Sequence, residues 1–389
     1  MSSPSGRRRR RVAHVITVLG TGGAEITLAK VVSGLADRWE AAIFSLTVAG
    51  WPGPELAAGG VEVTALRWPR GRLHARGFVR LARALARFAP DLVQGWMLHG
   101  NLAAWAAARC MRLAVPVAWN VRYTPADLRR EKVSAAGLVR LGALLSRRPE
   151  AVIFNAQAAL ERHLGLGYAP ARAELIPNGF DTRRFRPDEG ARQAVRAELG
   201  LEAAAVLVGL VGRWDPLKGH ATFLEAVAML GSSRPGVAFV LAGPGVDGAN
   251  EELAGQVAAL GLGPSLCLLG ERRDVPRLMA ALDVACLASL GEGFPNVVGE
   301  AMACGVPAVV TDVGDAARLV GETGIVVAPA NAAALAAGLR RALALPVEER
   351  RRLGAAARER IIGEFSLEAM LGRYDRLWCE LLAAGHGEG

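Results

Sequence analysis

Nowhere in this chain do eighteen or more apolar residues follow one another, so no segment is long and apolar enough to cross a bilayer as a helix. The opening stretch RRRRRVAHVITVLG has the charge of a secretory leader without its core. Its apolar run, Val12 to Leu19, is interrupted by His14, and no small-residue cleavage site follows. Residues 1–11 read as a disordered basic tail before a first buried strand. Cysteine is sparse: five residues, with no CxxC spacing. That excludes a disulfide framework and a visible zinc site, and predicts reduced, buried thiols in a cytosolic protein. With only three Tyr, the chain is a poor match to the aromatic platforms on which nucleic-acid bases stack, and nucleic acid is not expected as a partner. Lysine is nearly absent too, a compositional bias that leaves arginine to carry the positive charge.

What is present is a globular composition, 52% hydrophobic and 21% charged over 389 residues, enough for about two domains. The net charge of +9 is unevenly placed: residues 1–180 carry 25 Lys+Arg against 11 Asp+Glu, and residues 181–389 carry 21 against 26. The first half therefore suits an anionic partner, a phospholipid surface or a phosphate-bearing substrate, unless the charge serves only solubility. Short β-branched runs alternate with Ala/Leu-rich helical runs. VAHVITVL, AAIFSLTV, VEVTAL, DLVQGWM, PVAWNVR and AVIFNA fill the first half; AVLVGLVG, VAFVLAG, LCLLG, DVACLA, PAVVTD and GIVVA fill the second. Alternation of this kind predicts βαβ units, hence an α/β fold of two parallel sheets with functional loops at the carboxyl ends of the strands. IPNGFDTRRFRP, residues 176–187, carries the turn formers of a boundary. The expected domains are 1–180 and 181–365, with a last helix in 366–389 reaching back to the first.

Four loops and one helix carry chemistry. In GEGFPNVVGE, residues 291–300, Pro295 suits the first turn of a helix, leaving Glu292 on the loop and Glu300 inside the helix. Gly291 and Gly293 allow close backbone approach, and the N–H groups near Asn296 and Val297 suit anionic oxygens. The alternative makes Glu300 a solvated helix residue and Glu292 an acid favoured by the helix dipole. In GRWDPLKG, residues 212–219, Arg213 and Lys218 flank a turn at a strand's end, where two cations would hold a diphosphate or simply sit on a surface turn. It is not a Walker A loop. GTGGAE, residues 20–25, has Glu25 where a dinucleotide fingerprint wants a small residue, yet its glycines admit a phosphate or sugar. His99 lies on the same edge, structural or catalytic. Arg76, Arg80, Arg83 and Arg87 recur at helical spacing with Val79, Leu81, Leu85 and Phe88 between them. That helix would either lie on an anionic membrane or pack its apolar face inward.

Together these motifs resemble the retaining GT-B glycosyltransferases of family four. The resemblance rests on GGAE (22–25), WMLHGNL (96–102), IPNGFDTRRFRP (176–187), GRWDPLKG (212–219) and EGFPNVVGEAMACGVPAVVTDVGD (292–315), which carries the family's Glu, seven residues, Glu signature at Glu292 and Glu300. It implies two Rossmann-like domains facing each other across a cleft that holds a nucleoside diphosphate sugar. It further implies that Arg213 and Lys218 bind the donor diphosphate and Glu300 the ribose. Glu292 and the amides around Gly293, Phe294, Pro295, Asn296 and Val297 would hold the transferred sugar. His99 would lie near the anomeric carbon, and Gly22 and Gly23 would approach from the other domain; Glu292, His99, Arg213 and Lys218 are the catalytic candidates. No metal or other cofactor is expected, consistent with the lack of an Asp-x-Asp motif. The resemblance points to transfer of a hexosyl or N-acetylhexosaminyl unit, from a UDP-sugar, to a saccharide or lipid-linked acceptor in polysaccharide or glycoconjugate synthesis. Arg122, with the helix arginines 76–87, is the candidate for facing acceptor or membrane, although residues 122–130 depart from the family's common pattern. The expected setting is cytoplasmic, at the inner face of the cell membrane. A sugar-nucleotide epimerase of the same fold and a catalytically silent binding homologue are the alternatives.

Overall fold

The computed structural model describes residues 8–69, 74–123, 128, 133–202, 204–231, 236–263 and 265–385. The chain divides into two compact units, cut between Pro177 and Asn178 and again between Ala369 and Met370. Unit 1 carries β1 (Arg10–Ile16), β2 (Trp39–Ser45), β3 (Glu62–Ala65), β4 (Leu92–Trp96), β5 (Val117–Val121), β6 (Ala151–Phe154) and β7 (Ala173–Leu175), ordered β3-β2-β1-β4-β5-β6-β7. Unit 2 carries β8 (Val206–Val211), β9 (Val237–Ala242), β10 (Leu266–Leu268), β11 (Val284–Leu287), β12 (Ala308–Thr311) and β13 (Ile325–Val327), ordered β10-β9-β8-β11-β12-β13. The pairings are parallel, and β4, β5, β6, β11 and β12 are buried along their whole length. Continuous burial is why these strands read as unbroken apolar runs.

Two details of the strands differ from the sequence reading. Unit 1 has a seventh strand, β7, which at three residues is too short and polar (AEL) to show a period. The first strand begins at Arg10, inside the expected tail, because Asp91 and Glu40 supply partners: the Arg11 N–H donates to Asp91 Oδ2 at 2.6 Å and its guanidinium to Glu40 at 2.8 Å. Residues 1–7 of that tail lie outside the described residues.

In both sheets the order reverses once, between β1 and β4 and between β8 and β11. Such a reversal opens a crevice at the carboxyl ends of the two strands. Right-handed crossovers place helices Gly23–Gly34 and Gly53–Ala58 on one face of the first sheet and Ala75–Phe88, Met97–Cys110 and Val133–Leu145 on the other. The latter three pack side by side in that order.

The arginine helix, Ala75–Phe88, turns its apolar face inward: Leu81, Leu85 and Phe88 are buried, while Arg76, Arg80, Arg83 and Arg87 are exposed. Of the apolar residues singled out on it, only Val79 stays substantially in solvent (44%), so packing rather than membrane insertion claims that face. The cysteines are free but not uniformly interior. Cys286 and Cys304 are buried, with the Cys304 thiol pushed up to about 12 by burial, whereas Cys110 is exposed at a helix end.

The last helix, Leu367–Gly385, passes into unit 1 at Met370 and is held there by polar contacts with residues far away in sequence. The Trp378 indole donates to Gln94 at 2.7 Å, Asn120 Nδ2 to the Tyr374 hydroxyl at 2.7 Å, and the Trp39 indole to Asp375 at 2.8 Å. Arg38 also pairs with Asp375. Under this helix sits His14, fully buried; its Nδ1 accepts the Trp96 indole N–H at 3.1 Å and its ring lies tilted against Trp378, centroids 5.6 Å apart.

Burial holds the His14 imidazole down at about 3 against an ordinary 6.5. Because the folded value is depressed, the unfolded chain binds the extra proton first, so stability is complete above about 6.5 and is lost as pH falls toward 3. Urea midpoints measured from pH 7 to pH 4 are expected to fall. His14→Asn, which keeps an acceptor for Trp96 without titrating, should flatten that fall; an unchanged slope would remove His14 from the account.

Candidate active site

The reversal at β8 and β11 brings two loops together that are about seventy residues apart. Strand pairing of Val208 with Val284 and Gly209 with Ala285 sends both chains out of the sheet side by side. The loop after β8 is a short 3₁₀ turn, Pro216–Lys218, capped by Asp215, whose carboxylate accepts the Leu217 N–H at 2.9 Å and the Arg213 guanidinium at 2.8 Å. The Leu217 N–H and then the Arg213 cation hold that carboxyl below its usual range. Arg213 itself remains 64% exposed, a cation lightly tethered and open to a ligand. Lys218 is different: its Nζ lies 2.6 Å from Glu292 Oε1, and both side chains are largely removed from water, at 22% and 12% exposed. Ser289, fully buried, donates its hydroxyl to the same Glu292 oxygen at 2.7 Å.

Glycine makes this closeness possible. Gly219 ends the 3₁₀ turn at φ +68, and a Cβ there would stand 1.9 Å from the Ala288 carbonyl oxygen. The carboxyl end of β12 closes the third side: Thr311 donates to the Ser289 carbonyl at 2.7 Å, and the Asp315 N–H donates to the Gly293 carbonyl at 3.0 Å. Gly314, at φ +55, lies so near the carbonyls of Glu292 and Gly293 that a Cβ would be 2.5 Å from each.

The helix after β11 spans Asn296–Ala303, with Pro295 as the residue just before it. Pro295 therefore caps the helix instead of occupying its first turn, and having no N–H it supplies none of the amides expected of this loop. The first-turn N–H groups of Asn296 and Val297 have no acceptor within the helix. Phe294 is buried against Phe180, ring centroids 6.2 Å apart, and against Phe365. Its side chain is a core wedge, so only its backbone remains available to a ligand. Glu300 lies half-buried in the second turn. Gly305, at φ +75, ends the helix as the left-handed residue the sequence requires. Asn178 donates to Asn296 Oδ1 at 2.7 Å, and the Phe180 ring fills the space over Gly299, where a Cβ would stand 2.0 Å away. Asn178 and Phe180 thus belong to the wall of this site.

In unit 1 the corresponding edge holds Gly22, Gly23 and His99. Helix Gly23–Gly34 starts right after Gly22, and a Cβ on Gly22 would be 2.5 Å from the carboxylate of Glu25, which is itself buried. Gly22 thus makes room for this chain's own acid. His99 sits in the first turn of helix Met97–Cys110, one side open to solvent, the desolvated part of its ring lowering its pKa. The turn that delivers it is strained: Met97 has φ +62, a left-handed conformation uncommon outside glycine. Arg122 departs from expectation. Its guanidinium turns inward, donating to Thr27 at 2.9 Å and lying 5.8 Å from the Trp96 ring, so it does not face an acceptor or a membrane. Of residues 122–130, only Arg122, Tyr123 and Leu128 are described. Arg76, Arg80, Arg83 and Arg87 are exposed on helix Ala75–Phe88. Among the described residues no group of three His, Cys, Asp or Glu is placed to hold a metal ion.

The site contains residues that pattern reading did not select. Ser289 and Asn178 act through side-chain bonds to Glu292 and Asn296, and Gly314 through backbone crowding. The only sequence signal for Ser289 is a polar residue at the end of an apolar strand. His220, the first residue of helix His220–Leu230, is buried beside Trp214, ring centroids 5.0 Å apart, and burial lowers its pKa to about 4, so the ring is neutral beneath the cation loop.

Two parallel-sheet units with anion-suited loops at their switch points define a GT-B architecture, and comparison with known proteins agrees. Residues 205–344 match the family described as Glycosyl transferases group 1, and residues 21–184 match Glycosyltransferase Family 4. Together these matches identify a glycosyltransferase domain in each unit. It is 33% identical over 220 residues to the lipopolysaccharide core biosynthesis mannosyltransferase LpsB of Rhizobium meliloti, spanning 55% of this chain and 60% of that protein. It is 38% identical over 151 residues to the D-inositol 3-phosphate glycosyltransferase of Mycobacterium marinum, spanning 37% of this chain and 31% of that protein. The matches thus cover about a third to three-fifths of these relatives. In fold it is similar to Anabaena Alr3699/HepE, solved in complex with UDP: TM-score 0.83 at 23% identity, over 95% of this chain and 100% of that one.

Gly219→Ala is expected to cost about 2 kcal/mol or more, since it combines a strained φ with a carbonyl clash; chemical denaturation of the full chain measures it. Ser289→Ala should leave the fold cooperative while loosening Glu292, and a crystal structure showing Glu292 unmoved would contradict the orienting role given to this hydroxyl.

Proposed function

We propose that this chain transfers a glycosyl unit from a nucleoside diphosphate sugar, a UDP-sugar, to an acceptor hydroxyl with retention of anomeric configuration. The observation that carries the reading is the paired-loop arrangement in unit 2: an exposed Arg213, a mostly buried Lys218 in contact with Glu292, and first-turn amides on the helix that follows. Supporting it, the relatives are named as sugar transferases, and the HepE structures hold UDP and UDP-glucose.

Lys218 and Glu292 neutralise each other in the structure. A diphosphate offers Lys218 a doubly charged partner and leaves Glu292 with the Ser289 hydroxyl, so neither group is stranded. The bond that breaks joins the anomeric carbon to the β-phosphate oxygen. As it lengthens, negative charge gathers on the diphosphate, where Arg213, Lys218 and the helix amides stabilise it. The new bond forms between the anomeric carbon and the acceptor oxygen on the same face, and the acceptor's proton passes to the departing phosphate. Glu292 and the backbone near Gly293 and Asn296 hold sugar hydroxyls, and Glu300 holds the ribose. In unit 1 His99 is assigned to the reacting end of the sugar, and Gly22 and Gly23 to donor approach. Because the cations carry the charge of the leaving group, the reaction is assigned no metal and no cofactor. The acceptor is a saccharide or lipid-linked saccharide.

A thermal-shift screen of nucleotides on the full chain tests the donor, since a ligand that binds only the folded state raises its melting temperature. UDP-sugars are expected to stabilise, and no shift with any nucleoside diphosphate sugar would overturn the reading. In a transfer assay Lys218→Ala should lower kcat/KM by about 10²–10³-fold, with rates unchanged by a chelator. Glu300→Ala should weaken donor binding; lost turnover at unaltered donor affinity would contradict its ribose role.

A further inference from the structure

Unit 2 holds a second group of cations besides Arg213 and Lys218. A cavity of about 380 Å³ opens beside helices Glu189–Glu198 and Val275–Ala281, lined by Arg184, Arg186, Asp188, Gly190, Pro276 and Arg277 among others. That volume suits a small ligand, and three arginines against one aspartate make the lining cationic. None of its residues belongs to the 212–219 or 291–300 loops.

The chemistry of the cavity turns on which cations are already committed. Arg277 lies 2.9 Å from Asp274, and it shares Asp274 and Glu198 with Arg272, so two acids answer two arginines. Arg183 faces Glu368 at 3.5 Å. Arg184 and Arg186 are exposed and have no ion pair among the described residues. The Arg184 guanidinium lies 5.6 Å from the Phe185 ring. Asp188 spends its carboxylate on capping helix Glu189–Glu198, accepting the Ala191 N–H at 2.8 Å. A neighbouring cavity that shares Asp188 makes the contrast. There Arg192 pairs with Asp283 at 2.6 Å, Arg350 donates to the Leu345 carbonyl at 2.6 Å, and Arg351 pairs with Glu348 at 3.3 Å.

The segment that carries the two uncommitted arginines is held in place by its own contacts. Phe185, between them, is buried, and its N–H donates to the Asp181 carbonyl at 2.8 Å. Arg358 donates to the carbonyls of Thr182 at 3.2 Å and Phe185 at 3.1 Å, and also to that of Ala303. Ala303 ends helix Asn296–Ala303, whose first-turn amides stand about 10 Å further along the axis, at 1.5 Å per residue.

We propose that this cavity is a second anion site, taking a phosphate dianion either free or as the monoester of a small sugar. Arg184 and Arg186 pair with its oxygens, since a planar guanidinium fork matches phosphate, and Arg277 completes the positive wall. Two uncommitted unit charges suit a dianion better than a single carboxylate. Binding here needs no transfer chemistry, so it stands or falls separately from the donor reading.

Calorimetric titration of the full chain tests it, with inorganic phosphate, glucose 6-phosphate and glucose as probes, at an ionic strength fixed with chloride so that general screening is constant. Saturable binding is expected for the two phosphates and not for glucose. Arg184→Gln combined with Arg186→Gln should weaken it about a hundredfold, the loss of two charge-assisted contacts. Both residues are exposed, so an unchanged urea midpoint reports that the fold of this double variant is intact. Lys218→Ala, which removes a cation of the other site, should leave the affinity unaltered. Tighter binding of the ester identifies a sugar phosphate as the ligand, and tighter binding of inorganic phosphate identifies the free ion. The proposal is overturned by the absence of saturable binding, by equal affinity in the double variant, or by binding that disappears in Lys218→Ala, which would place the phosphate on the 212–219 loop.

Discussion

The pairing of β8 with β11 is the constraint on which the candidate site depends. These strands are neighbours only because the order of the sheet reverses there, and the crossover rule leaves the crevice at their carboxyl ends uncovered by a helix. From that single pairing follow the contact of Lys218 with Glu292, the Leu290 N–H bond to the Leu217 carbonyl at 2.8 Å, and the need for glycine at 219. An ion pair so far removed from water gains little net stability, because desolvation offsets most of the Coulomb attraction. Its value lies in keeping both charges in place, neutral and ready to exchange partners.

A second network does for unit 1 what apolar packing alone does for most βαβ domains. Trp378, Tyr374 and Asp375 on the last helix bond to Gln94, Asn120 and Trp39 in the sheet and beside it. Buried polar groups tolerate few alternative partners, so these bonds specify one seating of the helix where a purely apolar face would accept several. Arg122 joins the same network through the Tyr374 hydroxyl and also bonds Thr27, which is why a residue placed at the end of β5 does not project outward. Its inward turn separates the interior chemistry of the unit from its surface charge: the surface cations sit on the helices, and the edge of the sheet is left to His99 and the glycine loop.

Much of this was legible along the chain. Strand and helix alternation gave two parallel sheets, because strands buried on both faces must be apolar throughout. The GEGFPN and GRWDPLKG loops announced themselves by residues whose backbone demands are narrow: Pro295, which stands just before the helix, and Gly219, which has positive φ. What was hidden had no local signature. β7 is three residues long, Arg122 and an ordinary surface arginine look alike in sequence, and the inward or outward face of the arginine helix depends on what lies beneath it.

The sequence by itself determined the layer architecture and the chemical character of the loops, since period and charge are properties of neighbouring residues. Only the tertiary structure decided which loops meet. Strand order places Lys218 on Glu292 and Ser289 beneath it. Those outcomes depend on contacts between residues remote in the chain, whose partners are chosen by packing and desolvation rather than by sequence proximity.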